Sequence, residues 1–122
     1  MEEMLSKTEN TDVFQIVKQL AELLQAHNGQ DVALLDLRTI NDWTDFFIIA
    51  TISSKTHMDG LERHIKDFCR EKEIEILGIS PKSTGDEWRL IDLGSAIIHL
   101  MNSQARDFYE LEKLWRGSSS VL

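Results

Sequence analysis

The stretch 44-TDFFIIAT-51 decides the fold. Its centre, Phe46 to Ile49, is apolar on both alternating faces, and aromatic and β-branched side chains favour extended backbone. A strand apolar on both faces has to be covered on both sides, which places it in the middle of a layered sheet.

The neighbouring segments supply the layers. Before this strand, 32-VALLDL-37 is a second short aliphatic run that reads as a strand, separated from the first by a polar turn containing Asn41 and Asp42. After it, Ser53 and Ser54 offer N-caps for a helix whose stripe is Met58, Leu61, Ile65 and Phe68. A short strand is expected around Ile76 to Ile79, then the loop 80-SPKSTGDE-87, which holds the only proline. The runs WRLIDL and SAIIHLM meet near Gly94 and predict an antiparallel hairpin. At the N-terminal side, Val13, Ile16, Val17, Leu20 and Leu24 fall at helical intervals, with Asp12 and Gln15 as a cap and Asn28-Gly29 as the stop.

A last helix is expected from about Ser103 to Trp115, followed by a fraying RGSSSVL. The predicted order is α-β-β-α-β-β-β-α. It defines an α/β fold with α+β character: a mixed β-sheet with flanking helices. One domain over residues 12–116 is expected, with residues 1–11 and 117–122 as loose tails.

Composition narrows the function. The chain has 122 residues, of which 42% are hydrophobic and 28% charged, a globular balance. Cys69 is the only cysteine, so no internal disulfide forms and a reducing, cytoplasmic setting is expected. The start MEEMLSKTEN lacks the basic and apolar regions of a signal peptide, and no run approaches the roughly 18 apolar residues of a membrane span. Thirteen Lys and Arg against 21 Asp and Glu give a net charge of −8. Such a chain repels phosphates unless its cations cluster. Between Lys55 and Glu73 five cations alternate with five acids, a pattern of local ion pairs on a solvated face. Little direct nucleic-acid contact is expected, and a basic protein surface is the better electrostatic match.

No catalytic motif emerges. His57, His64 and Cys69 lie near one another on the second helix, but no CxxC, HxxxH or HExxH spacing completes a metal-ligand set, and no metal or other cofactor is expected. There is neither a GxxxxGK[ST] nor a GxGxxG signature. The turn Ile52-Ser53-Ser54-Lys55 could present helix amides to an anion, with Asp36 and Asp45 as candidate carboxylates, but helix capping is the commoner use of such serines. Cys69 on a helix and His99 in an apolar β-run read as core residues rather than as a nucleophile and its base. What stands out is the strand 88–92: Trp88, Leu90 and Asp92 share one side, and Arg89 and Ile91 the other. An aromatic and an acid on one strand face can form an interface anchor with a charged rim. Packing of Trp88 under the last helix is the equal alternative.

Four segments, 31-DVALLDLR-38, 44-TDFFIIAT-51, 87-EWRLIDLGSAIIHLM-101 and 106-RDFYELEKLW-115, together resemble the ribosomal silencing factor family, also called Iojap-like. The resemblance runs from about residue 12 to residue 116. Its most specific parts are Trp-x-Leu-x-Asp-x-Gly and the closing Arg-x-Phe-Tyr-x-Leu-Glu-x-Leu-Trp. It implies a nucleotidyltransferase-like fold without transferase activity. It further implies a translation repressor that binds ribosomal protein fourteen of the large subunit and sterically blocks joining of the small subunit. On this chain the implied partner-facing residues are Trp88, Leu90 and Asp92, with Ser53 and Ser54 at the adjoining turn and Arg89 as a weaker member. The closing helix, including Phe108, is expected to be core and scaffold. Ile52 stands where the family usually has a small residue, which weighs against a ligand role for the turn. A nucleotide-binding or nucleotidyltransferase enzyme on a related fold is the alternative, and homodimerisation through a strand edge stays open.

Overall fold

The computed structural model describes the backbone of residues 2–40, 42–81, 87–109 and 119–120, and within these the side chains from Val13 to Phe108. The elements are α1 (Glu2–Ala26), β1 (Gln30–Asp36), β2 (Phe46–Thr51), α2 (Lys55–Glu71), β3 (Gly78–Pro81), β4 (Trp88–Asp92), β5 (Ala96–Met101), α3 (Ser103–Tyr109) and β6 (Ser119–Ser120). One sheet takes the order β3-β4-β5-β2-β1-β6. Only β2 and β5 pair in parallel; β1–β2, β1–β6, β3–β4 and β4–β5 are antiparallel. The sheet is therefore mixed, with the doubly apolar strand at its centre.

The predicted order holds, with differences at the ends. Helix α1 reaches back to Glu2, across residues expected to be a loose tail. Glu, Met, Leu and Lys propagate a helix well once the apolar stripe after Val13 has nucleated it, so the missing apolar period did not end it. The serine-rich terminus, expected to fray, contributes β6, where Leu35 and Asp36 pair with Ser120 and Ser119 along the open edge of β1. Strand β3 begins two residues later than the apolar pattern of 76–79 suggested. Residues 110–118, with the Leu111, Leu114 and Trp115 assigned to the closing helix, lie outside the described residues, as do 82–86 of the proline loop.

Two cores follow from the two faces of β2. On one face Phe46, Ile48 and Ala50 meet Val17, Leu20 and Leu24 of α1 and Met58, Leu61, Ile65 and Cys69 of α2. Cys69, one turn beyond Ile65, completes the buried stripe, while Phe68 is only half-buried. Burial pushes the Cys69 thiol above its ordinary pKa, which fits an inert core thiol. On the opposite face Phe47 and Ile49 join Leu35, Leu37, Trp88, Ile97, Met101 and Ala105. There the described cover is α3, seven residues long.

Candidate partner-binding face

Strand β4 alternates as its sequence predicts. Trp88 belongs to the core beneath α3 and Leu90 packs against that core, whereas Ile91 belongs to the helix-covered core. Trp88 is 9% exposed, and its indole Nε1–H donates to His99 Nδ1 at 3.0 Å. Of its two expected uses, packing beneath the last helix is the one seen: the ring shares a core with Ala105 of α3. The ring is largely packed, and Leu90, two residues on along the same side of the strand, is half-buried.

The register separates the remaining candidates. Trp88 pairs with Met101, which pairs with Thr51, so Ser53 and Ser54 adjoin the Trp88 end of the sheet. Asp92 pairs with Ile97, which pairs with Phe47, so the carboxylate lies at the far end. Four residues of strand separate the two ends, about 13 Å at the usual rise. Asp92 also serves the hairpin turn, where its Oδ1 accepts the Gly94 N–H at 2.8 Å. Thr44 locks that turn to the entry of β2 by donating its hydroxyl to the Gly94 carbonyl at 3.0 Å.

Ser54 is the N-cap of α2, its Oγ accepting the His57 N–H at 3.0 Å. The Ser53 N–H donates to His57 Nδ1 at 3.1 Å, and the other ring nitrogen of His57 lies 3.0 Å from the His27 carbonyl beyond the end of α1. His57 thus bridges a helix start and a helix end, occupying groups that an anion would otherwise use. His27 and His64 stack at 3.6 Å beside it. Spacing on α2 signals that His57 and His64 share a side, but nothing local reveals that His27 joins them from another helix. Among the described residues, no group of three or more His, Cys, Asp or Glu is arranged to hold a metal ion.

Arg89 points to the helix side of the sheet. Its guanidinium contacts Asp59 at 2.7 Å and Glu62 at 3.1 Å, and its side chain is 17% exposed. Lys55 and Lys66 pair with the same two acids, so β4 supplies the fifth member of a surface ion network on α2. Arg89, with Lys55 adding to it, holds the Asp59 carboxyl below its usual range. Asp36 is likewise engaged, bonded by Arg38 at 2.6 and 2.9 Å, and Asp45 acts on the same guanidinium. Arg38 in turn lies over the Phe46 ring at 5.1 Å. Asp36, one of the two carboxylates considered for cation binding, is therefore taken up by an arginine.

Two exposed aromatics at the rim were not foreseen. Trp43 is 57% exposed and meets Phe47 edge-on at 5.9 Å, near the Asp92 end. Phe108 of α3, expected to be core, is 80% exposed although it lies one helical turn from buried Ala105. The signal for Trp43 was its place in a polar turn four residues before Phe47. For Phe108 the sequence carries no such signal, since i and i+3 positions share a helix face.

These features define a mixed-sheet module with α1 and α2 on one face and, on the other, a second apolar core beneath α3, accompanied by the exposed aromatics Trp43 and Phe108. The chain belongs to the ribosomal silencing factor family: residues 10–121 match the family described as "Ribosomal silencing factor during starvation". It is 36% identical to the ribosomal silencing factor RsfS of Haemophilus influenzae, over 82% of this chain and 97% of that one. It is 32% identical to the mouse protein named "Mitochondrial assembly of ribosomal large subunit protein 1", covering 81% of this chain and 44% of that one. A crystal structure of a Chromobacterium violaceum protein superposes with a TM-score of 0.77 at 28% identity, over 88% of this chain and 91% of the other. One from Bacillus halodurans gives 0.73 at 29% identity, over 88% and 98%. Family membership associates the chain with regulation of translation at the ribosome.

Proposed function

We propose that this protein represses translation by binding the large ribosomal subunit through its ribosomal protein fourteen and blocking association with the small subunit. The supporting observation is the sheet face opposite α1 and α2, which carries Trp88 and half-buried Leu90 and has two exposed aromatics, Trp43 against Phe47 and Phe108 on α3. Leu90 and the edge of Trp88 supply the apolar centre. Asp92 supplies a charge-assisted hydrogen bond to a basic partner residue at one end, and the turn at Ser53 and Ser54 borders the other. A net charge of −8 favours a basic protein partner over rRNA. No helix among the described residues is long and apolar enough to cross a membrane, and the working site in this reading is the cytoplasm.

The reading is regulatory rather than enzymatic. Ser54, Ser53 and Asp36, the groups a nucleotide site would need, are each engaged in local structural bonds. Co-sedimentation with purified large subunits, followed by addition of small subunits, tests the proposal. The expected result is co-pelleting and reduced formation of complete ribosomes. Joint replacement Trp88→Ala and Asp92→Ala should weaken binding by at least tenfold, and unchanged binding by that variant would sink the assignment of the face.

A further inference from the structure

The chemistry of the Trp88–His99 pair reaches beyond packing. An indole N–H only donates, so the nitrogen that receives it, Nδ1 of His99, carries a lone pair, and in the neutral ring the proton is on Nε2. The two residues are diagonal neighbours on one face of the β4–β5 hairpin, since Trp88 pairs with Met101 and Leu90 with His99. From β2, the Phe47 ring meets His99 edge-on at 4.5 Å and 72°. With His99 only 4% exposed, the imidazole is wedged between a phenyl ring and an indole. Trp88 is thereby fixed in orientation by a directional bond as well as by contact, and a buried indole N–H that lost its acceptor would be costly.

We propose that His99 is a positioning residue for the partner-binding face: through unprotonated Nδ1 it holds the Trp88 indole in its binding orientation. The inference rests on the proposed ribosome-binding role of that face. His99 touches no partner in this scheme; it acts through Trp88. The sequence places His99 in an apolar strand and gives it no other task, while an aliphatic residue there would pack as well but accept nothing.

The test compares His99→Asn, whose side-chain oxygen can replace the Nδ1 acceptor, with His99→Leu and His99→Met, which offer none. In isotope-labelled wild-type protein, nuclear magnetic resonance should show an N–N coupling between Trp88 Nε1 and His99 Nδ1 and slow exchange of the indole proton. The expected pattern is large-subunit binding within about threefold of wild type for the Asn variant and at least tenfold weaker for a folded Leu or Met variant. Faster exchange at the Trp88 indole should accompany the loss. Two apolar replacements of different shape keep the comparison open should one fail to fold. Wild-type binding by a folded apolar variant, equal loss in all three variants, or no N–N coupling in the wild type would each overturn the inference. Failure of the wild-type protein itself to bind would overturn the functional reading as well, a result visible before any variant is made.

Discussion

Arg89 and Asp59 meet at 2.7 Å across the gap between β4 and α2, on the side of the sheet opposite Trp88. The guanidinium is half-buried, and its two carboxylate partners keep it charged. A residue directed into such a network is committed to joining strand and helix. The variant Arg89→Met is expected to lower the urea midpoint with an unchanged m-value, while ribosome binding measured well below that midpoint stays near wild type. Loss of binding by a fully folded Arg89→Met protein would instead put this residue in the partner surface.

Acid should weaken the fold partly through Asp36. The hydrogen bond from Arg38 holds its carboxyl below the ordinary value of 3.8. A group whose folded pKa is depressed contributes stability above its unfolded pKa and loses it as pH falls through the folded one. Solvent screens the pair, so the contribution is modest. Asp36→Asn should be less stable than wild type at neutral pH, and the difference should shrink as pH drops below the usual carboxylate range. A gap that stays constant from neutral pH to well below pH 3.8 would refute this, measured by urea denaturation at each pH.

Gly94 closes the β4–β5 hairpin at φ +85, and a Cβ there would approach the Leu77 side chain to 3.3 Å. Left-handed backbone costs an L-residue roughly 1–2 kcal/mol. Gly94→Ala should therefore lose about that much stability, and Gly94→Asn less, because asparagine tolerates this region. Equal stability of Ala and Asn variants by chemical denaturation would contradict the account.

Cys69 is sealed in the core between the sheet and α2, and its thiol is held protonated by burial. Labelling by an aromatic disulfide reagent at neutral pH should proceed only as fast as the protein opens, and become rapid in denaturant. Immediate labelling of native protein would show that the helix face is not closed.

The sequence made the centre of this fold legible because β2 has no polar face to hide. The hairpin was legible from Gly94, and α2 from its serine caps and apolar stripe. The ends were not, because α1 extends on helix propensity without a burial pattern, and β6 is held by backbone pairing that any side chain permits. At the candidate face, alternation on β4 correctly sorted Trp88, Leu90 and Asp92 from Arg89. What alternation could not show was the diagonal reach from Trp88 to His99, or that Asp92 and the serine turn stand at opposite ends of the sheet. Those relations depend on register between strands, which is fixed by pairing rather than by local composition. Phe108 shows the related limit for helices: it shares a face with buried Ala105, yet in a helix of seven described residues it stands clear of the sheet.

The parallel pairing of β2 with β5 joins Phe46 to Ala96, residues fifty positions apart in the chain. Contacts between such distant residues pay a larger loop-closure cost and form later than local ones. During synthesis, α1, β1, β2 and α2 can associate early. The central seam of the sheet must wait until β5 has left the exit tunnel, and until then the apolar flank of β2 lacks its native neighbour. The nascent chain is thus most prone to aggregation in the interval between synthesis of α2 and synthesis of the hairpin.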